Sequence, residues 1–348
     1  MYTVQAKTIV KGGKVVLFSV EEFKNKVVKN NNCFICGVDK NVKIFNEEHI
    51  LPKWLLKEYN LYNQQIVLTN TAHLKYGQYK ISCCKSCNSE LGKVIEEPIS
   101  RLWKLPYKDF CNILANSNEN LFALFKWLSL IYFKTYFKDS SLNWHLDKRK
   151  EKRKISDNLE WSEMHHLHCI IRSHFTKAIV NSNVIGSIFI FPAIEHQSIE
   201  PFDFVDSLHG KGIMIRMNQI CVMAILNDSC GTFSIAKDFV KKINGPLTPL
   251  QLRDMFSHLI YINMHLAERP TYYSEFKNNN YFIEAKIPKK VSLSNETITR
   301  GNILFNLCKD MFKKEKDEEI ILSQINDGGR QFLFNEKGKF FNHLKDLT

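Results

Sequence analysis

Cys33-Phe34-Ile35-Cys36 and Cys84-Lys85-Ser86-Cys87 decide how this chain is read. Each Cys-x-x-Cys pair puts two thiols on one tight turn, and two such pairs complete the closed set of four thiolates that tetrahedral Zn²⁺ takes. The pairs are separated by 47 residues, wider than in a simple zinc ribbon, so the chain between them must fold out as an insertion. Cys83 adjoins the second pair but is out of register with it. A redox dithiol needs only one pair, in a thioredoxin-like βαβ pattern that this region lacks. The expectation is a structural Zn²⁺ on Cys33, Cys36, Cys84 and Cys87.

Outward from the cysteines, residues 42–45 read as a short strand, with Glu48-His49-Ile50-Leu51-Pro52 directly after it. Pro52 opens a helix through Lys57. Residues 63–70 and the run around Gly77 read as loop, and residues 79–82 as a second strand. Residues 89–97 read as a helix that stops at Pro98. A metal tying the two turns together would bring Glu48, His49 and Asn88 toward one point. A carboxylate with an amide oxygen is a hard-oxygen pair suited to Mg²⁺. An imidazole is the side chain best suited to take a proton from water near neutral pH. Alone, Glu48-His49 would read as a solvated strand end; its place between two matched cysteine turns argues otherwise.

At these residues, from about Asn32 to Ser100, the sequence resembles the HNH, or ββα-metal, nucleases. The likeness is strongest to the zinc-stabilised branch that includes phage junction-resolving endonucleases. It rests on Cys33-x-x-Cys36, Glu48-His49 with an apolar residue and Pro52, and Cys84-x-x-Cys87-Asn88. The resemblance implies a treble-clef-like ββα module that hydrolyses phosphodiester bonds in DNA. His49 would be the general base, Glu48 and Asn88 the ligands of Mg²⁺ or a similar divalent cation, and the four cysteines the Zn²⁺ ligands. Glu96 matches a Glu that many relatives carry eight residues after that Asn. Three departures stand out: Glu48 replaces the commoner Asp, the middle Asn of the pattern is matched best by Asn70, and Gly92 offers no further ligand. A prokaryotic or phage role such as antiviral defence or restriction would suit the family. The rival reading is a non-catalytic zinc module that recognises DNA or a protein. It would keep the cysteines but has no use for Glu48, His49 and Asn88 together.

The rest of the 348 residues is less specific. Lys+Arg 48 against Asp+Glu 36 leaves a net charge of +12, which favours a polyanionic partner, and 44% hydrophobic residues suffice for a packed core. The amino terminus carries no secretory signal pattern, and residues 121–133 are too short an apolar run to cross a bilayer. The expectation is a soluble cytoplasmic protein that engages DNA and no membrane. The reading divides the α+β chain into a hairpin and helix at 1–30, the nuclease module at 31–103, and a larger α+β domain at 104–348. That last part would recognise DNA, sense a signal, or pair with a partner or a second copy. Within it, residues 120–137 read as a helix with Leu121, Leu124, Phe125, Leu128 and Ile131 facing the core and Lys126 and Lys134 on the surface. Residues 147–154 form a basic linker or exposed helix, as apt for a solvated face as for DNA contact. Residues 165–172, 184–191, 212–217 and 219–226 read as strands. The first would put His166, His168, Arg172 and His174 on one, mostly solvated, face. Thr248-Pro249 opens a helix to about Leu266.

Overall fold

The computed structural model describes residues 8–29, 32–147, 149–295, 297–313 and 315–343; of the segments read above, residues 1–7, 30–31, 148, 296, 314 and 344–348 lie outside these. The fold is mixed α+β, with 42% helix and 21% strand. It divides into two compact units. One runs to Val184 and takes back Thr271–Lys286; the other comprises Ile185–Pro270 and the chain from Ile287 onward. Among the described residues no helix is long and apolar enough to cross a membrane.

The first unit is organised by the helix Asn118–Ser140, whose start is capped by the Ser117 hydroxyl accepting from the Asn120 amide at 3.2 Å. From Leu124 to Tyr136 every residue except the half-buried Lys126 is buried. A helix enclosed on all sides has no polar face. Lys134, read as a surface residue, is therefore inside, and its exposure is 0%. Phe133 shows how much this helix gathers. Its ring lies 6.2 Å from Phe23, 6.3 Å from Phe34 in the first cysteine turn, and 5.6 Å from His168.

The unit opens with the hairpin Ile9–Lys11 and Lys14–Leu17, then the helix Val20–Glu22 widening into a π-helical stretch Phe23–Val28, as the sequence suggested. A three-stranded sheet joins Thr271–Lys277, Asn280–Lys286 and Ile179–Val180. Residues 165–172 are not a strand: they belong to the helix His165–Thr176, in which every residue from His165 to Ser173 is buried. With both apolar and polar positions enclosed, the period-2 pattern carried no information about faces. His165, His168 and Arg172 instead reach backbone carbonyls. His165 Nε2 pairs with Phe18 O at 2.8 Å, His168 Nε2 with Ile35 O at 3.0 Å, and Arg172 donates to Val15 O at 2.9 Å.

The cysteine region differs from its reading in three places. The first strand is Phe45–His49, not 42–45; Val42 and Ile44 are 73% and 76% exposed. Pairing sets these limits, because Phe45 faces Cys84 and His49 faces Lys80 across the antiparallel strand Lys80–Cys84. The helix after Cys84 does not stop at Pro98. It runs as Lys85–Leu91, a π-helical turn Gly92–Glu96, and Glu97–Leu102. Pro98 falls in the opening turn of the last piece, where a missing N–H costs little because the π turn has already shifted the ladder. Between the cysteine pairs the insertion adds the helix Lys53–Glu58 and a hairpin of Gln65–Val67 with His73–Lys75 where loop was expected.

In the second unit four antiparallel strands lie in the spatial order Ser187–Pro192, Ile220–Ile225, Gly212–Met217, Phe202–Ser207. The helix Pro249–Met264 opens with a Thr248/Gln251 capping box, as expected. Its Met255, Phe256, Leu259 and Ile260 share one core with Phe189, Met214 and Met223. A Cβ at Gly212 would stand 2.4 Å from Ile260 Cδ1, so a side chain there would push the tip of Ile260 out of its packing.

Phe133→Ala should lower unfolding free energy in urea by about 3–5 kcal/mol, the cost of an emptied aromatic site. A loss below about 1 kcal/mol would mean that the long helix does not organise the unit.

Candidate metal centre and adjoining polar site

The first cysteine turn is closed by Gly37 N donating to Cys33 O at 2.8 Å, with Gly37 at φ +65°, where a side chain would be strained. The second pair is placed by the junction of strand and helix: Cys84 ends the strand and caps the helix that carries Cys87. The four sulfurs of Cys33, Cys36, Cys84 and Cys87 lie within 4.8 Å of one another. Cys36 and Cys84 Sγ are 3.7 Å apart, close to the roughly 3.8 Å edge of a tetrahedron with Zn–S bonds of about 2.3 Å. These four cysteines can hold a metal such as zinc. Cys83 lies outside the set, although its sulfur is 3.7 Å from that of Cys33.

The thiols' electrostatics point the same way. Hydrogen bonds from Cys36, Cys83 and Cys87 hold the Cys33 thiol far below its usual range. The Cys36 thiol is pushed up to about 12, first by its bond to Cys33, and Cys87 is raised for the same reason. One thiolate is thus stabilised at the cost of the others. A dication is what allows all four to ionise.

Next to this cluster the chain builds a second, harder site. Lys134 Nζ, reaching in from the long helix, donates to Glu48 Oε1 at 2.9 Å and to the backbone carbonyl of His49 at 2.8 Å, and lies 3.4 Å from Glu96 Oε1. The side chains are 0%, 8% and 12% exposed for Lys134, Glu48 and Glu96. Burial opposes the charge on Lys134, but Glu48 and Glu96 outweigh it and hold its pKa above the ordinary lysine value. Burial raises the pKa of Glu96 against the pull of Lys134. Five residues along the same helix, Asp139 accepts from Tyr79 Oη at 2.6 Å and Thr69 Oγ1 at 2.7 Å, tying the insertion down.

His49 is buried, with its ring edge-on to Tyr62 at 5.9 Å. Its Nδ1 finds no hydrogen-bond partner among the described residues. Burial, then the charge of Lys80, lower its pKa, so the neutral imidazole is favoured; Lys53 and Lys134 act in the same direction. Asn88 projects from the first turn of the following helix, and its Nδ2 donates to Asn46 Oδ1 at 2.8 Å. Asn46 and Glu48 share one face of the strand about 7 Å apart. The backbone thus brings Asn88 near Glu48, while each side chain is engaged by a different partner.

Asn70 stands apart in the loop between Val67 and His73, where its Nδ2 donates to Asn143 O at 3.0 Å and its Oδ1 accepts from Ala72 N. The basic run is a turn-rich loop in which Arg149 and Arg153 pair with Asp147 and Glu151. The residues missed were Lys134 and Asp139. Lys134 lies three positions after Ile131, on the same helical stripe as Leu124, Leu128 and Ile131; that spacing was the available sign that it faces inward. Compared with protein-family models, curated proteins and solved structures, the chain gives no match.

Metal analysis of the freshly purified chain should find about one zinc per molecule, falling to near zero in Cys36→Ser with loss of thermal stability. A metal-free protein whose melting is unchanged by that substitution would remove the metal from the account.

Proposed function

We propose that this chain hydrolyses phosphodiester bonds in DNA at His49. The observation that carries the reading is the His49 imidazole itself: buried, biased to its neutral form, with an unpartnered nitrogen, at the end of a strand paired antiparallel to the cysteine strand and followed by a helix. The Nδ1 is closed to solvent, as are unpaired nitrogens of four other histidines among the described residues, and a water admitted beside it would complete its hydrogen bonding. Lys53 and Lys80, whose charges His49 feels, suit a phosphate group. The strand, strand and helix order, with the two cysteine pairs, supports the reading that the HNH resemblance implies.

In this reading His49 takes a proton from water as its oxygen attacks phosphorus. The bond from phosphorus to the 3′ oxygen breaks, that oxygen takes a proton from solvent water on leaving, and His49 returns its own proton to solvent. The products would be a 5′-phosphate and a 3′-hydroxyl. Zn²⁺ on the four cysteines would have a structural role. The Mg²⁺ that the resemblance implies would need oxygens from Glu48 and Asn88. Glu48 is ion-paired to the buried ammonium of Lys134, whose charge stands where the ion would, so the arrangement does not fit that ion. The net charge of +12 supports DNA as the polyanion. The same ion pair favours the second reading, a zinc module that binds DNA or protein without cutting, because it leaves Glu48 a structural task.

Incubated with supercoiled plasmid, the wild-type chain should nick or cut it, and His49→Ala should lower the rate by at least about 100-fold, with zinc content and DNA affinity nearly unchanged. Binding without cleavage by the wild-type chain, or cleavage undiminished in His49→Ala, would establish the non-cutting reading or move the base elsewhere.

A further inference from the structure

A small cavity lies beside the stack of His166 on Tyr272, and the groove between Glu195 and Arg216 is open and shallow. The buried Asp228 and Asp254 are satisfied by hydrogen bonds and Arg300. The ammonium of Lys134 raises a question that the nuclease reading does not answer.

Its three hydrogens face three oxygens: one from Glu48, one from Glu96 and the carbonyl of His49. A lysine has three donors and no acceptor, so this shell uses its whole capacity. The oxygens come from the strand, from the helix eight residues past Asn88, and from the backbone next to Glu48. Two carboxylates and a carbonyl around one point are what a hard cation would choose. Here a side chain of the protein stands at that point.

We propose that Lys134 is the resident cation of this site, that its ammonium excludes a divalent ion from Glu48 and Glu96, and that the site becomes a divalent-metal site when the ammonium is removed. The inference goes beyond the nuclease reading and does not depend on it, although Lys134 also bears on the His49 strand. Its bond to the His49 carbonyl and its ion pair with Glu48 fix two consecutive residues of the strand, and therefore where the imidazole is carried. Lys134→Met would leave two buried carboxylates facing each other. Their mutual repulsion makes that space one for a cation, and the partner of Glu48 there would be Glu96, not Asn88. The cysteine cluster would not compete for a hard ion, since thiolates select softer metals.

The experiment uses full-length, zinc-loaded protein and Mn²⁺ as the probe, with the free-ion electron paramagnetic resonance signal read at millimolar Mn²⁺ and no DNA present. The expected result is no Mn²⁺ uptake by the wild-type chain or Lys134→Arg, and uptake of about one Mn²⁺ per chain by Lys134→Met, lost when Glu48→Gln is added. Uptake by the wild-type chain that disappears in Glu48→Gln would overturn the proposal. So would a Lys134→Met chain that keeps its zinc and takes no Mn²⁺. Should Lys134→Met fail to keep its zinc, the wild-type result decides: no uptake, or uptake indifferent to Glu48→Gln, upholds the proposal, and uptake lost in Glu48→Gln defeats it. Because DNA is absent, the outcome is independent of whether His49 cuts it.

Discussion

An ammonium and a carboxylate 2.9 Å apart, both shut away from water, constrain how the elements of the first unit meet. Moving either charge out of water costs several kcal/mol, and the cost is recovered only if the partner is present and the remaining hydrogen-bonding capacity is filled. Lys134 meets both conditions through Glu48, Glu96 and the His49 carbonyl. The long helix, the first cysteine strand and the helix after Cys87 are therefore bound to one another: a displacement of any one strands a buried charge. The apolar contacts of Phe133 add adhesion at the same helix, but they tolerate small shifts that a three-oxygen shell around one nitrogen does not.

This constraint also explains why two unlike cation sites sit side by side. The cysteines form a soft, closed set whose thiols resist sharing one another's charge, so they call for a metal such as zinc. The carboxylates form a hard set, and the chain supplies their cation itself. The strand ending at Cys84 runs antiparallel to the one bearing Glu48 and His49. A metal at the cysteines would consequently hold the partner strand of His49, while Lys134 holds the His49 strand directly.

Much of this was legible in the sequence where the signal is local. The two Cys-x-x-Cys turns, the Gly12-Gly13 hairpin, the strand Gly212–Met217 and the Thr248-Pro249 helix start each depend on residues a few positions apart. What was missed depends on distant partners. The strand with Glu48 and His49 is set by its register with Lys80–Cys84, and the apolar Val42 and Ile44 pointed a few residues too early. The buried helix with His165, His168 and Arg172 showed an alternation that meant nothing once every side was enclosed. Lys134 looked like a surface charge because the carboxylates that permit its burial lie 86 and 38 residues earlier in the chain. Asn88 was read just ahead of a helix at 89–97 and stands within the helix Lys85–Leu91, and its bond to Asn46 follows from side-chain packing that spacing does not encode.

The central claim is that a lysine, and not a divalent ion, holds Glu48 and Glu96. Crystals of the wild-type chain grown with Mn²⁺ and measured at the zinc and manganese absorption edges test it most directly. The account predicts a zinc anomalous peak among Cys33, Cys36, Cys84 and Cys87, no manganese peak between Glu48 and Glu96, and Lys134 Nζ in density within hydrogen-bonding reach of both carboxylates. A manganese peak bound to Glu48, with the Lys134 side chain turned away from it, would contradict the account.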